Sequence, residues 1–412
     1  MVVTGMGALT PIGNNLKDYW NALQQGVSGA APITHFNAEK FKTQFACEVK
    51  GFDVTDFIDR KEARKMDLFC QYAMVASDEA IIDSDLNLDK INLDRAGVIW
   101  GSGIGGMNSF QQEASNFAQG NGIPRYNPFF IPKLISDIPA GHISIKYGFR
   151  GPNFTTVAAC ASSTNSLIDA FNYIKWNKAD IFIAGGSEAC VFETGIGGFN
   201  AMMALSTRND DPKTASRPFD KDRDGFVMGE GGGAIVIEEY EHAIKRGAKI
   251  YAEIVGGGLT ADAHHITAPH PQGLGAHNVM KLAIEEAGIP LTDVDYINVH
   301  GTSTPLGDIA ETKAIKALFG DHAYNLNISS TKSMTGHLLG AAGVIESIAC
   351  IMAVKNDVVP PTINHFTDDP DIDNKLNLTF NKAQKRTVNY ALTNTFGFGG
   401  HNASVLFKKY TS

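Results

Sequence analysis

Cys160 stands between the apolar run FTTVAA and the polar, helix-forming stretch SSTNSLIDAFNYIKW. A strand that ends where a helix begins would place the thiol at the positive end of the helix dipole, where a thiolate is stabilised. A thiolate there could accept an acyl group from a thioester. An isolated cysteine is more often an inert core residue, and that interpretation fits the other cysteines: Cys47, Cys70, Cys190 and Cys350.

Two histidines could assist such a thiol. His300 follows the apolar strand DYINV, and His337 lies where the turn SSTKSMTG enters a helix rich in small residues. Catalytic side chains of α/β proteins collect at strand ends. A neutral imidazole there can donate a hydrogen bond to a developing oxyanion or accept a proton. Taken singly, a histidine at such a position more often has a structural hydrogen-bonding role.

The segment NTFGFGGHNAS supplies a third candidate feature. Gly397, Gly399 and Gly400 permit backbone angles that other residues avoid, so this segment could present an N–H group to a substrate carbonyl. The same glycines are also typical of a tight hairpin. The residues alone do not separate these two interpretations.

The elements that must position these residues follow an α/β pattern. Buried apolar runs such as AGVIWGSG, ADIFIAGGSEA and GGAIVIEE alternate with amphipathic helical stretches. The segment around Cys160 can be laid beside the segment around His337, which hints at a duplicated strand-turn-helix unit. We expect two halves, 1–249 and 250–412, with KRGAKIYAEIVGGG as the best break between them.

Composition excludes several classes of function. The 412 residues carry a formal net charge of −9, which disfavours a broad nucleic-acid surface. The N-terminal MVVTGMGALTPIG lacks the basic and apolar regions of a signal peptide, and no long apolar run predicts a membrane span. Five cysteines without a C-x-x-C pair indicate neither a disulfide framework nor a zinc site, and favour a cytoplasmic protein.

Three motifs suggest ligand sites that their context does not support. GSGIGG satisfies G-x-G-x-x-G after a strand, but the acidic residue expected about 20 positions later is missing. DKDRDG resembles the start of an EF-hand loop, yet Gly231 stands where the twelfth-position glutamate should be. His264, His265 and His270 lack a carboxylate at ligand spacing. We therefore predict no metal site.

The sequence resembles the β-ketoacyl-[acyl-carrier-protein] synthases of the KAS II type, within the thiolase-like superfamily. The resemblance runs nearly end to end and includes RGPNFTTVAACASS, FIAGGSEA, SRPFDKDRDGFVMGEGGG, INVHGTSTPLGD, SSTKSMTGHLLGAAG and NTFGFGGHN. It implies a thiolase-like fold with two pseudo-duplicated halves in an α-β-α-β-α arrangement. It also implies decarboxylative Claisen condensation of malonyl carrier protein with a fatty acyl group held on the enzyme, in type II fatty acid biosynthesis.

By position in these motifs, the resemblance assigns Cys160 as the acylated nucleophile and His300 and His337 as the pair that promotes decarboxylation. Lys332 would support the second histidine, with Glu346 as its ion-pair partner. The N–H groups of Cys160 and Phe398 would form the oxyanion hole, beside Phe396 on a gating loop. The substrate-binding positions would be Thr302, Thr304, Thr267, Ile104, Gly399 and Asn402.

The resemblance further implies an acidic acyl carrier protein as partner and a homodimer, with no cofactor of the enzyme's own, because the phosphopantetheine arm belongs to the carrier. A local basic face in RKEARK would receive the carrier despite the negative net charge. Its residues would be Arg60, Lys61, Arg64 and Lys65, with Arg125 nearby and Arg208 as a possible addition. Tyr126 and His401 depart from the residues usual in the family at their positions.

Three related functions remain as alternatives. A degradative thiolase would normally carry a second active cysteine where this chain has VHGTST and TGHLLG. A non-catalytic chain-length partner would lack the nucleophile, whereas Cys160 is present. A ketosynthase subunit of an aryl-polyene or polyketide pathway would have nearly the same sequence pattern, so only substrate assays separate it from a fatty acid enzyme.

Overall fold

A computed structural model describes residues 1–411 of the chain. The strands are β1 Val2–Leu9, β2 Ala31–Pro32, β3 Phe45–Ala46, β4 Ala96–Gly101, β5 Asn153–Thr156, β6 Ile181–Glu188, β7 Gly231–Glu238, β8 Ala252–Ala261, β9 Tyr296–Asn298, β10 Asn327–Ser329, β11 Val358–Val359, β12 Gln384–Lys385, β13 Tyr390–Gly397 and β14 His401–Lys409. The helices are α1 Leu16–Gln25, α2 Arg60–Ala63, α3 Leu68–Asp83, α4 Met107–Gln119, α5 Phe130–Leu134, α6 Ile138–Tyr147, α7 Ser162–Lys175, α8 Glu193–Ala201, α9 Tyr240–Lys245, α10 Leu274–Ala287, α11 Pro305–Phe319, α12 Lys332–Thr335 and α13 Ala342–Asn356.

Ten strands form one mixed sheet in the order β10-β9-β13-β14-β8-β1-β7-β6-β4-β5. Each half contributes five strands with the same succession along the chain and the same parallel and antiparallel pairings. The two halves meet where β1 pairs with β8 over Val2 and Val3. This repetition confirms the pseudo-duplication that the sequence predicted.

The helices form three layers around the two halves of the sheet. The central layer is α7 and α13, which pack against each other and against strands of both halves. The outer layers are built on α3, which covers β1 and β7, and on α10, which covers β8 and β14. The predicted α/β class and α-β-α-β-α layering are therefore confirmed. The repetition also places Cys160, before α7, and His337, before α13, at corresponding points of the two halves.

The central helix α13 is apolar on every face because it is covered on every side. Its sequence AGVIESIACIMAVKN is buried from Ala342 to Ile351. The segment Leu339–Asn356 is long and apolar enough to span a membrane, but 83% of it lies inside the protein. Burial in the core accounts for its composition.

Two segments that the sequence singled out contain strands. KRGAKIYAEIVGGG, expected to separate the halves, contains the start of β8, a ten-residue strand that pairs with β1 and β14. Residues of this strand are alternately buried and half-buried, as is typical of a sheet strand. The sequence does not show this alternation, because three consecutive glycines have no side chains that could mark the two faces. NTFGFGGHNAS is mostly strand, since β13 and β14 form an antiparallel hairpin across the turn 398–400.

Candidate active site

A strained turn presents Cys160 at the start of α7. Ala159 has a left-handed φ of 48°, which is rare for a residue with a side chain. The Ser162 hydroxyl supports this turn, since it accepts from the Ala158 N–H at 2.9 Å and donates to the Ala159 carbonyl at 2.6 Å. Cys160 thus lies just before the N-terminus of a fourteen-residue helix, with its side chain at the wall of a cavity.

The resting Cys160 is a neutral thiol, and the thiolate expected from its helix position is not found. Only 7% of the residue is exposed, and burial raises the pKa of its thiol to about 12. Lys332 lowers this pKa, Glu188 raises it, and the backbone N–H groups of Phe398 and Cys160 lower it to a smaller extent. The thiol must therefore lose its proton to a base while it attacks a substrate.

His337 provides a nitrogen for this purpose. Its Nε2 lies 3.0 Å from Cys160 Sγ. The His337 backbone pairs with the strand-like segment 227–229: its N–H donates to the Val227 carbonyl at 2.8 Å, and its carbonyl accepts from the Gly229 N–H at 2.9 Å. The ring also packs edge-on against Phe226, with centroids 5.3 Å apart. Backbone and ring are both fixed, so the imidazole faces the sulfur without rearrangement.

His300 enters the same cavity from the end of β9. Its ring centroid is 5.3 Å from that of His337, at an interplanar angle of 86°. A buried carboxylate holds its backbone, because Glu311 accepts the N–H groups of His300 and Gly301, each at 2.9 Å. Burial raises the pKa of Glu311 to about 7. The two imidazoles therefore converge from separate segments on one side of the sulfur.

Both histidines are neutral at physiological pH. Burial lowers the pKa of His300 and of His337 well below the ordinary value, and the nearby Lys332 ammonium lowers both further. Lys332 is itself buried and forms an ion pair with Glu346. A neutral imidazole can donate one hydrogen bond and accept another, so each ring can stabilise negative charge on a substrate oxygen.

The hairpin turn after β13 closes the site opposite α7. Gly397 approaches the nucleophile turn so closely that a Cβ there would lie 2.5 Å from the Ala158 carbonyl oxygen. Phe398 follows, half-buried, with its ring 6.4 Å from that of Phe199. Phe396 lies 5.6 Å from the His300 ring. The hairpin interpretation is confirmed, and the hairpin brings the Phe398 N–H near the sulfur. That this N–H serves a substrate carbonyl stays a prediction.

A cavity of about 560 Å³ connects the sulfur and both imidazoles to the surface. Its walls include most of the predicted substrate-binding residues: Ile104, Thr267, Thr302, Thr304 and Asn402. Thr302 and Thr304 lie side by side, with their hydroxyl oxygens 3.1 Å apart. Gly399 is not among the lining residues. Its N–H donates to the Ile266 carbonyl at 2.7 Å and its φ is +90°, so it serves the turn.

The predicted docking residues lie outside the cavity. Arg60 and Lys61 belong to the short helix α2, Arg64 is exposed at its end, and Arg125 is exposed in the loop after α4. Lys65 is engaged by Glu62 at 2.6 Å. Arg60, Lys61, Arg64 and Lys65 are neighbours in the sequence, whereas Arg125 belongs to a later loop. No contact within the chain assigns any of these cations a role.

Three residues that support the site were not among the predicted ones. Phe226 packs on His337, Glu311 fixes the His300 backbone, and Glu188 lies near enough to influence Cys160. The sequence offers no local signal for the two glutamates, because their partners are backbone N–H groups, which any residue other than proline can supply. Within residues 1–411, no group of three or more His, Cys, Asp or Glu side chains could hold a metal ion.

Comparison with known proteins identifies the family. The model of the β-ketoacyl synthase N-terminal domain matches residues 1–243, and that of the C-terminal domain matches residues 251–366. The chain belongs to the β-ketoacyl synthase family. A relative from Synechocystis sp., named 3-oxoacyl-[acyl-carrier-protein] synthase 2, is 50% identical over 410 residues, covering 100% of this chain and 98% of the relative. A Staphylococcus aureus protein of the same name is 51% identical with the same coverage.

Solved structures of other ketosynthases share the fold. A β-ketoacyl synthase from Burkholderia phymatum superposes with a TM-score of 0.92 at 33% identity, covering 100% of this chain and 99% of that one. A type II polyketide ketosynthase solved in complex with its acyl-carrier protein has a TM-score of 0.91 at 32% identity, with the same coverage. The ketosynthase fold of this chain is therefore established along its whole length.

Proposed function

We propose that this ketosynthase is a 3-oxoacyl-[acyl-carrier-protein] synthase of the KAS II type, which condenses malonyl carrier protein with a Cys160-bound fatty acyl group. The observation that carries the proposal is the 3.0 Å contact between His337 Nε2 and Cys160 Sγ, with the His300 ring beside it in one cavity. The names of the full-length relatives support type II fatty acid biosynthesis as the pathway.

In the first half-reaction, Cys160 Sγ attacks the acyl thioester carbon as its proton moves to His337. The bond from this carbon to the phosphopantetheine sulfur breaks, and the departing thiolate takes up the proton. Because the resting thiol is neutral, this proton transfer accompanies the attack rather than preceding it. The N–H groups of Cys160 and Phe398 stabilise the negative oxygen of the tetrahedral intermediate.

In the second half-reaction, malonyl carrier protein enters and loses CO2. The electron pair of the broken C–C bond forms an enolate, whose oxygen accepts hydrogen bonds from His300 and His337. Neutral imidazoles suit this role, because each ring already carries an N–H group and can donate a hydrogen bond without a change in its protonation state. The enolate carbon then attacks the acyl carbon on Cys160, and the bond from this carbon to Sγ breaks. The departing Cys160 thiolate takes up a proton from solvent, and the released product is a β-ketoacyl thioester two carbons longer.

Lys332 and Glu346 act as a supporting pair in this proposal. Burial lowers the pKa of both imidazoles most, the Lys332 charge lowers it further, and Glu346 compensates that charge within the core. Thr302 and Thr304 hold the phosphopantetheine arm through their adjacent hydroxyls, with Thr267 and Asn402 at the cavity wall. Ile104 lines the acyl pocket, Phe396 and Phe398 gate it, and Gly399 shapes the gating turn.

An acyl carrier protein is the partner that we propose, received by Arg60, Lys61, Arg64, Lys65 and Arg125. We further propose that the enzyme is a homodimer in the cytoplasm. We also propose that its two halves are residues 1–249 and 250–412, and that it uses no metal or organic cofactor of its own. The exposed cations of α2 support carrier docking through charge complementarity to an acidic protein.

The decisive test is an elongation assay with purified carrier proteins. The enzyme is mixed with acyl carrier protein and malonyl carrier protein, and products are read by intact-protein mass spectrometry. We expect an acyl adduct on Cys160 in the first half-reaction, followed by a β-ketoacyl carrier protein two carbons longer. Absence of both species under conditions where the enzyme is folded would reject the proposal.

A polyketide or aryl-polyene ketosynthase is the second candidate. It is favoured by solved structures of the same fold, among them a ketosynthase with its chain length factor from Xenorhabdus doucetiae at 25% identity. The same assay separates the two functions when β-ketoacyl and saturated acyl carriers are compared as primers. Preference for unreduced β-ketoacyl primers would indicate the polyketide function. A non-catalytic chain-length partner would form no adduct with either.

A further inference from the structure

The G-x-G-x-x-G segment that follows β4 forms an anion-binding loop that is filled by the protein's own carboxylate. Glu188, the last residue of β6, accepts the N–H groups of Gly103 at 2.8 Å, Ile104 at 3.2 Å and Gly105 at 3.3 Å. The Ser102 hydroxyl donates to the same carboxylate at 3.1 Å. Successive N–H groups converging on one anion form a backbone nest.

A fifth donor comes from the other half of the molecule. The Gly340 N–H donates to Glu188 Oε2 at 3.0 Å. Gly340 lies so close to the loop that a Cβ on it would be 2.3 Å from the Gly103 nitrogen. Glu188 therefore joins two segments: the loop that carries Ile104 and the segment that runs from His337 through Leu339 to Gly340.

The five partners favour an ionised carboxylate. Glu188 is fully buried, and burial raises its pKa, but four of its partners are N–H groups that stabilise the charged form. No lysine, arginine or histidine among residues 1–411 forms an ion pair with it. The charge is compensated by four backbone N–H groups and the Ser102 hydroxyl, so one carboxylate connects the two segments.

Ile104 and Leu339 face the same cavity, together with Gly103 and Cys160. Leu339 has a left-handed φ of 48°, which requires support from its surroundings. We propose that Glu188 is a positioning residue that sets the separation of the Ile104 loop from the Leu339 segment, and so determines which acyl chains reach Cys160. This inference rests on the proposed function, because it concerns the acyl group of that reaction.

The test compares acyl loading by the full-length enzyme and its Glu188 variants. Wild type, Glu188→Gln, Glu188→Asp and Ser102→Ala are incubated with an equal mixture of hexanoyl and tetradecanoyl carrier protein. The ratio of the two adducts on Cys160 is read by mass spectrometry. This ratio does not depend on the fraction of active enzyme, so a loss of folded protein does not imitate a change in the pocket.

We expect Glu188→Gln to change the ratio by roughly fivefold or more, because its NH2 group would face N–H donors and displace a loop at the reacting centre. Glu188→Asp keeps the charge and should restore the ratio partly. Ser102→Ala removes one donor of five and should shift it in the same direction as Glu188→Gln, by less. Glu79→Gln is the matched control, since Glu79 also accepts two backbone N–H groups, at 2.7 and 2.8 Å, away from the site.

A second readout needs no carrier protein. The negative Glu188 opposes ionisation of Cys160, whereas the Lys332 ammonium favours it. Glu188→Gln should therefore be alkylated by iodoacetamide at Cys160 faster than Glu188→Asp, by roughly threefold or more at pH 8. Wild-type ratios and rates in all three variants would overturn the inference while leaving the proposed function intact. If Glu188→Gln does not fold, unchanged values in Glu188→Asp and Ser102→Ala overturn it equally. If wild type loads no acyl group, the proposed function fails, and the alkylation rates still decide the Glu188 charge effect.

Discussion

At the scale of single residues, the site is built from groups that are neutral at rest. Burial keeps the Cys160 thiol protonated and both imidazoles uncharged. A buried thiolate beside a buried imidazolium would have to be stabilised against a large loss of solvation. Negative charge therefore develops only during the reaction, on a substrate oxygen that accepts hydrogen bonds from donors already in position. Fixed donors lower an activation barrier most under this condition.

Cys160→Ala should abolish acyl loading while leaving the fold intact. The substitution removes one sulfur at the wall of an existing cavity, so we expect a stability loss of about 1 kcal/mol or less. Intact mass after incubation with acyl carrier protein measures loading, and circular dichroism checks the fold. An acyl adduct at wild-type level would place the nucleophile elsewhere.

His300→Ala and His337→Ala should each slow the release of CO2 from malonyl carrier protein by on the order of 100-fold, because each removes one donor to the enolate oxygen. Release is measured from malonyl groups labelled at the free carboxylate. His277→Ala, on α10 and not among the residues that line the cavity, is the matched control and should release CO2 normally. Normal release in both active-site variants would contradict the decarboxylation role.

At the scale of elements, the site depends on tight turns that join strands to the central helices. The Ala159 turn leads from β5 to α7, the segment after α12 leads to α13, and the β13–β14 turn lies across from both. The glycines at these points are needed where backbones touch, as Gly397 shows. Positions in the turns therefore matter for catalysis even where their side chains contact no substrate.

Gly399→Ala should impair acyl transfer more than it impairs stability. The glycine has φ +90°, a conformation that residues with a side chain rarely adopt, so an alanine there strains the turn and moves the Phe398 N–H, even though the nearby His401 ring can rotate away. We expect roughly tenfold slower loading of Cys160, measured as the initial rate of adduct formation. Gly141→Ala on α6 is the control, because a Cβ there meets no atom within 4 Å. Equal rates in the two variants would show that the turn has no role in positioning the N–H group.

At the scale of the whole molecule, two repeated halves bury a set of carboxylates in one continuous core. Burial raises the pKa of Glu79, Glu311 and Glu346 to about 7 and that of Asp308 to about 6. Each native group binds its proton more tightly than the unfolded chain does. Stability must therefore decline as the pH rises between the unfolded and folded pKa values.

Glu79→Gln should reduce this decline. With a folded pKa of about 7 against an ordinary 4.5, Glu79 has no effect below pH 4.5 and destabilises the native state by on the order of 3 kcal/mol above pH 7. Urea unfolding at pH 5 and pH 7.5 should show a smaller difference in the variant than in wild type. Glu285→Gln, exposed on α10, serves as the control. An unchanged difference in Glu79→Gln would contradict the assignment.

The proposed homodimer gives a second prediction at this scale. Aromatic residues stack along α4, the following loop and α5: Phe117 on Tyr126 at 5.8 Å, and Tyr126 on Phe130 at 5.7 Å. Ile131 beside them is 58% exposed. Such an apolar surface is typical of an interface.

We expect Ile131→Glu to weaken the dimer, as measured by analytical ultracentrifugation. Ile145→Glu is the control and should leave the dimer unchanged, because Ile145 is an isolated exposed residue of α6. A wild-type monomer would reject the dimer.

The sequence by itself determined the α/β class, because that depends on local periodicity, and it gave a hint of duplicated halves. The candidate nucleophile and histidines followed from the resemblance of contiguous motifs to those of a known family. The sequence could not determine the protonation of Cys160, since a pKa depends on how completely distant segments exclude water. It also could not reveal Glu188, whose backbone partner Gly340 is far away in sequence, or Glu311, whose partners are backbone N–H groups without a residue signature. Only the tertiary structure decided that GSGIGG binds an internal carboxylate. The N–H groups of a backbone nest can bind any anion, and the fold determines which anion lies within their reach.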